Sequence, residues 1–178
     1  ISTGLVGSEM CIRDRVSIAF PAFPAVMVAL SNHNKFTPDN LSKLRIINNV
    51  APIETLRTFQ NKVPQASQVS AYGLTEVGGV TSFGSPDDSL EHRLTTCGKP
   101  WPEVEIRILD PETNQVLSNE EKGLIEIRGP HVFSGYLNDK EATKNALSDD
   151  GWFSTGDVGS LTNDGYIRYH GRIKDMLK

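Results

Sequence analysis

Cysteine is almost missing from this chain: Cys11 and Cys97 are the only two in 178 residues. Two such isolated residues make neither a disulfide framework nor the paired spacing of a thiolate metal site, so a reduced, cytosolic setting is the default. No apolar run approaches the roughly 18 residues that cross a bilayer. A transmembrane segment within this stretch is excluded, which leaves open peripheral membrane association of a longer protein. Excess positive charge is also lacking. The net charge of −4 removes the electrostatic case for nucleic acid or an anionic membrane as partner. There is no internal repeat and no low-complexity linker. What remains is ordinary globular material, enough for one domain or two small ones.

Residues Ile1 to Arg15 stand apart. They keep no steady period of 2 or 3.6 and lack the basic start and apolar core of a signal peptide. They read as a non-native or disordered leader, similar to translated adaptor sequence joined to genuine coding sequence near Val16. Genomic sequence across that junction decides between the two.

From Val16 to Leu94 the pattern is that of a parallel α/β unit. Phe20–Leu30 is apolar with Pro21 and Pro24 at its start, consistent with a buried helix. Leu44–Asn48 reads as a buried strand. Pro52 opens a second helix whose Ile53, Leu56, Phe59 and Val63 form the apolar stripe, and Pro64 ends it. A strand over Gln68–Tyr72 follows. Ligands of such sheets sit beyond the carboxyl ends of the strands.

From residue 95 to Lys178 the period changes to two. Val104, Ile106 and Ile108 alternate with charged residues, as do Ile125 and Ile127, predicting antiparallel strands with one solvated face. Asn138, with Glu141 three positions on, predicts a capped helix running to Leu147. The expected fold is therefore α/β: a partial parallel α/β subdomain (16–94), then a small antiparallel β-rich subdomain (95–178).

Two motifs carry chemistry. Val158–Leu161 and Tyr166–His170 flank Asp164-Gly165, which reads as a hairpin. With a two-residue loop, Asp157 faces Arg172. A carboxylate can accept from a ribose diol and a guanidinium can grip phosphate or ribose oxygens; an ordinary ion pair closing a hairpin is the plainer alternative. Upstream, Ser70-Ala71-Tyr72-Gly73-Leu74-Thr75-Glu76 offers an aromatic face, a glycine, a hydroxyl and a carboxylate within five positions. These groups can stack a base, approach phosphates closely, donate to them and hold a divalent cation.

Tyr-Gly-x-Thr-Glu, Gly151-Trp152-Phe153-x-Thr155-Gly156-Asp157 and Gly171-Arg172-x-Lys174-Asp175 occur here in that order. In this the chain resembles the adenylate-forming superfamily of acyl-CoA synthetases, luciferases, aryl-CoA ligases and peptide-synthetase adenylation domains. Val50-Ala51-Pro52, Cys97-Gly98-Lys99-Pro100 and the run Gly123 to Pro130 followed by Gly135-Tyr136 support it.

The resemblance implies ATP, Mg²⁺, coenzyme A and a small-molecule carboxylic acid as reaction partners. It implies Tyr72 against adenine, with Val50, Ala51, Pro52 and the backbone of Ala71 lining the base and Gly73 beside phosphate. Thr75 would meet the α-phosphate and Glu76 would help hold Mg²⁺, the two forming the catalytic pair. Asp157 would bind the ribose hydroxyls, with Arg172 in support, and Lys174 would be the interdomain hinge. Fatty acids are the expected substrates, from the flanking sequence; Leu74, which stands where amino-acid-activating relatives carry proline, argues against amino-acid activation. An aryl-acid or amino-acid adenylating enzyme, or a non-catalytic nucleotide-binding module, is the alternative. The family's phosphate loop and its C-terminal lid with the polarising lysine fall outside these 178 residues, so the stretch alone is expected to be a central, inactive piece.

Overall fold

The computed structural model describes residues 16–37 and 39–176; the leader reading at 1–15 lies outside them. The chain forms two compact units. The first comprises residues up to Ser70 together with Gly84–Thr95, and the second comprises Ala71–Phe83 and Thr96 onward. The segment Ala71–Phe83, upstream of the change in period, is thus part of the second unit.

In the first unit β1 (Ile18–Ala22), β2 (Ile46–Asn49) and β3 (Ser67–Val69) form a parallel sheet in the order β1-β2-β3. Helix α1 (Pro24–Ser31) follows β1, and α2 (Ile53–Lys62) crosses from β2 to β3. The helix expected over Phe20–Leu30 is corrected at its start. Ile18 and Ala19 pair with Ile46 and Ile47, and Pro21 falls in the irregularity between Ala19 and Ala22, on a strand that lies at the sheet edge among the described residues. Helix α1 then begins with Pro24 in the first turn, and it is not buried: of its residues only Met27 is, while Val26 and Val28 are exposed. Helix α2 presents Leu56 and Phe59 to the interior, Val63 follows them, and Pro64 stops it. Met27, Leu41, Leu44, Ile47, Phe59, Val63 and Ala66 make this unit's core. At the carboxyl end of β2 the pattern turns polar: Asn49 Nδ2 donates to Gln68 Oε1 at 2.7 Å, while Asn48 Oδ1 and Asn49 Oδ1 are buried without a hydrogen bond. Helix α3 (Leu90–Thr95) completes the unit.

The second unit holds two antiparallel sheets. Short strands β4 (Ala71–Tyr72), β5 (Ser82–Phe83) and β6 (Lys99–Pro100) form one. The strand expected over Gln68–Tyr72 is therefore broken at Ser70, its halves serving different sheets. The other sheet runs β10-β9-β8-β7, with β7 (Glu105–Leu109), β8 (Gly123–Arg128), β9 (Phe153–Leu161) and β10 (Ile167–Arg172). Ile108, Ile125, Ile127, Phe153 and Ile167 pack with Tyr72 and Val77 beneath it. Each fully buried side chain of this size contributes about 1.5–3 kcal/mol. Helix α4 (Lys140–Ala146) is capped by Asp139, whose side chain accepts from the Ala142 N–H at 2.8 Å; the expected cap, Asn138, sits one residue early at φ +58°.

The hairpin register departs from expectation near its turn. Ile167 faces Leu161, Arg168 faces Ser160 and Tyr169 faces Gly159, one residue off a two-residue loop. The loop has three residues, Asn163-Asp164-Gly165, closed by Thr162 N–H to Tyr166 O at 2.9 Å, with Gly165 at φ +84°. A bulge between Tyr169 and Gly171 restores the lost residue, so Arg172 does face Asp157. The short helix α5 (Ile173–Met176) follows.

Candidate functional site

Asp157 sits in a second bulge, on β9. Leu124 of β8 pairs with Val158 and Glu126 pairs with Ser154, so Thr155, Gly156 and Asp157 oppose Ile125 alone. Gly156 absorbs the bend at φ +71°, a left-handed conformation that costs glycine nothing. The Thr155 hydroxyl donates to Ile125 O at 2.8 Å and accepts from the Asp157 N–H at 3.0 Å. The Thr-Gly-Asp run is thus a bulge pinned by its own threonine, and its product is an aimed carboxylate.

Three side chains meet there. Tyr72 Oη donates to Asp157 Oδ2 at 2.7 Å, and Arg172 Nε lies 2.8 Å from Asp157 Oδ1. The Asp157 side chain is 4% exposed while that of Arg172 is 52% exposed. Oδ1 is buried and takes no hydrogen bond, so the guanidinium contact is an ion pair without hydrogen-bond alignment. Burial pushes the Asp157 pKa up; the Tyr72 hydrogen bond and the Arg172 charge pull it down, and the Glu76 charge raises it further. Burial, followed by the bond to Asp157, drives the Tyr72 phenol far above its ordinary range, so it remains a donor. The Tyr72 ring is buried and stacks on Tyr169 at 5.9 Å with 30° between the planes.

Beyond Tyr72 the chain turns sharply. A Cβ on Gly73 would fall 2.1 Å from Gly79 O and 2.6 Å from Val80 Cα, so only glycine fits. Thr75–Val77 form one 3-10 turn, with Thr75 exposed and Glu76 half-buried. Glu76 is held at two points: its carbonyl accepts from the Phe133 N–H at 2.8 Å, and its Oε1 accepts from Tyr136 Oη at 2.9 Å. Among the described residues no three His, Cys, Asp or Glu side chains cluster to cage a metal. A single carboxylate at Glu76 nevertheless fits the small protein share of a Mg²⁺ bound mainly through substrate phosphates.

The second unit therefore brings Tyr72, Asp157 and Arg172 together and sets Glu76 within their electrostatic reach. Ala71 is buried in β4. Val50, Ala51 and Pro52 belong to the first unit, where they join β2 to α2 with Val50 exposed. Lys174 is exposed on α5. Sequence reasoning assigned no role to Tyr169 or Tyr136. A half-exposed aromatic on β10 was a usable signal for the first, whereas the reach of Tyr136 to Glu76 spans 60 positions and leaves no local trace.

Comparison with known proteins gives the family. Residues 10–137 match the family of AMP-binding enzymes. The chain is 36% identical over 163 residues to 4-coumarate–CoA ligase-like 4 of Oryza sativa subsp. japonica, covering 89% of this chain and 29% of that protein. It is 32% identical over 175 residues to 4-coumarate–CoA ligase 3 of the same plant, covering 96% and 31%. ATP-bound MatB from Rhodopseudomonas palustris superposes with a TM-score of 0.82 at 29% identity, over 95% of this chain and 33% of that one. The chain belongs to the AMP-binding enzyme family, and it spans about three tenths of the length of the two curated rice ligases just described.

Proposed function

We propose that this chain carries the nucleotide-binding part of an AMP-forming carboxylate–CoA ligase. One observation supports this most: Asp157, buried, donated to by Tyr72 and flanked by Arg172, with one oxygen left without a hydrogen bond. A ribose diol supplies the donors such an oxygen lacks once the half-exposed Arg172 side chain swings off it, and the second carboxylate oxygen is already oriented by Tyr72. On this reading Asp157 takes the ribose hydroxyls and Arg172 balances the carboxylate and reaches the ribose–phosphate junction. Tyr72, together with the backbone of Ala71 and Gly73, borders the nucleotide. Thr75 donates to the α-phosphate, Glu76 offers its carboxylate to Mg²⁺, and Lys174 marks the hinge after the β-rich subdomain.

Bound Mg²⁺ supplies charge neutralisation on the phosphates. The chain's own residues align the nucleotide so that a carboxylate oxygen of the acid attacks the α-phosphorus in line and pyrophosphate leaves. A thiol, that of coenzyme A, then attacks the acyl carbonyl and AMP departs. Binding the adenylate's ribose rigidly lowers the cost of alignment in both steps.

The acid itself is proposed as a fatty acid, from the flanking sequence. An aromatic acid is the second reading, favoured by two relatives named for 4-coumarate. ATP–pyrophosphate exchange by the complete gene product, with a panel of fatty and aryl acids, tests both. The Asp157→Ala and Glu76→Ala variants should lose exchange; full exchange in either overturns the assigned roles.

A further inference from the structure

Glu76 is gripped from one loop at both of its ends. The loop between β8 and α4 donates the Phe133 N–H to the Glu76 carbonyl at 2.8 Å and the Tyr136 hydroxyl to Glu76 Oε1 at 2.9 Å. The two aromatic rings are braced in turn. Tyr136 meets Phe133 edge-on at 4.8 Å, and Phe133 meets Phe153 edge-on at 5.4 Å. Phe153 is buried in the core at the start of β9, the strand that carries Asp157. The backbone N–H of Tyr136 is itself tied to Thr143 Oγ1 at 2.9 Å, at the body of α4. A glutamate in a one-turn helix, left to solvent, would sample several rotamers. This one is joined by a rigid aromatic chain to the strand bearing the other site carboxylate.

We propose that Tyr136 is a positioning residue: its hydroxyl holds the Glu76 carboxylate by Oε1 in the orientation that presents the group to the divalent cation accompanying the nucleotide. The inference rests on the function proposed above. Tyr136 touches neither substrate nor metal; it acts through Glu76. A loosely held carboxylate can still bind a cation, but it must first be ordered, and that cost appears as weaker metal affinity rather than as weaker nucleotide affinity.

The test is calorimetric binding of ATP to the complete gene product across a Mg²⁺ series, beside metal-free AMP binding, for wild type, Tyr136→Phe, Tyr136→Ala and Glu76→Gln. Tyr136→Phe keeps the ring against Phe133 and removes only the hydroxyl. It should raise half-saturating Mg²⁺ by about tenfold, the range one hydrogen bond to a charged group supplies. Metal-free AMP affinity and the thermal midpoint should stay as in wild type. Adding Tyr136→Phe to Glu76→Gln should bring no further change, because the hydroxyl then has no carboxylate to hold. A wild-type Mg²⁺ response in Tyr136→Phe, with loss only in Tyr136→Ala, makes Tyr136 a packing residue and overturns the proposal. Wild type failing to bind AMP at all overturns instead the nucleotide reading beneath it.

Discussion

Asp157 and Arg172 lie fifteen residues apart and face each other across the open end of a hairpin, each beside a bulge in its own strand. The bulge on β9 turns Asp157 inward; the bulge on β10, at Tyr169–Gly171, brings Arg172 opposite it. Bulges re-aim side chains where function needs them, and here both are spent on one carboxylate–guanidinium pair.

The acid limb of nucleotide binding should report on Asp157. Burial raises its folded pKa, so the ionised form weakens the fold: its stabilising contribution is complete below the ordinary aspartate value near ~3.9 and is lost as pH rises through the raised folded value. Binding runs the opposite way, because an ionised acceptor is needed for the diol. AMP affinity should therefore fall on acidification at a pH above the ordinary aspartate range, followed by calorimetry from neutral to mildly acid pH. Affinity that holds steady down to ordinary aspartate titration contradicts the assignment.

Tyr72→Phe should cost about 1–3 kcal/mol in urea unfolding, since it strips the donor from a buried carboxylate oxygen. The hydroxyl also lowers the Asp157 pKa, so the variant's binding midpoint should move to higher pH. A variant as stable as wild type, with an unshifted midpoint, shows the bond to be incidental.

How much of this was legible beforehand differs by residue. Helix α2, the parallel step from β2 to β3 and the alternating strands β7 and β8 follow directly from apolar period. The facing of Asp157 and Arg172 was reached with a loop one residue too short, and the β10 bulge cancelled that difference; neither feature has a signature in periodicity. Phe20–Ala22, the end of the strand at Ile18–Ala22, reads as helix because an apolar run with prolines fits either state, and only its pairing with β2 decides. The cap at Asp139 rather than Asn138 is a one-residue choice between equally good side chains. Tyr136 and Tyr169 act over long separations, which a local reading cannot supply.

Gly73→Ala should damage the site without touching a ligand. Its Cβ collides with the backbone at Gly79 and Val80, not with a flexible side-chain end, so the loop has to open. A loss of about 1–3 kcal/mol is expected, with weakened AMP binding. Unfolding by urea together with an AMP titration checks it, and wild-type values in both would show that the turn has slack.

Asn48→Leu should be neutral or stabilising by about 1 kcal/mol in the same unfolding assay. It removes a buried carbonyl oxygen that has no partner and gives up only a long 3.4 Å bond to Val69 O. A loss above about 2 kcal/mol would show that the Asn48 amide contributes more than that one bond.

The central claim is that the Asp157 carboxylate receives the ribose of a bound adenine nucleotide. AMP titration of the complete gene product, wild type against Asp157→Asn, measures this most directly, since asparagine keeps the size and the bond from Tyr72 while removing the charge. The account predicts at least about a tenfold loss of affinity, as for a hydrogen bond to a charged group, with the thermal midpoint unchanged or higher. Equal affinity for AMP in the two proteins would contradict it.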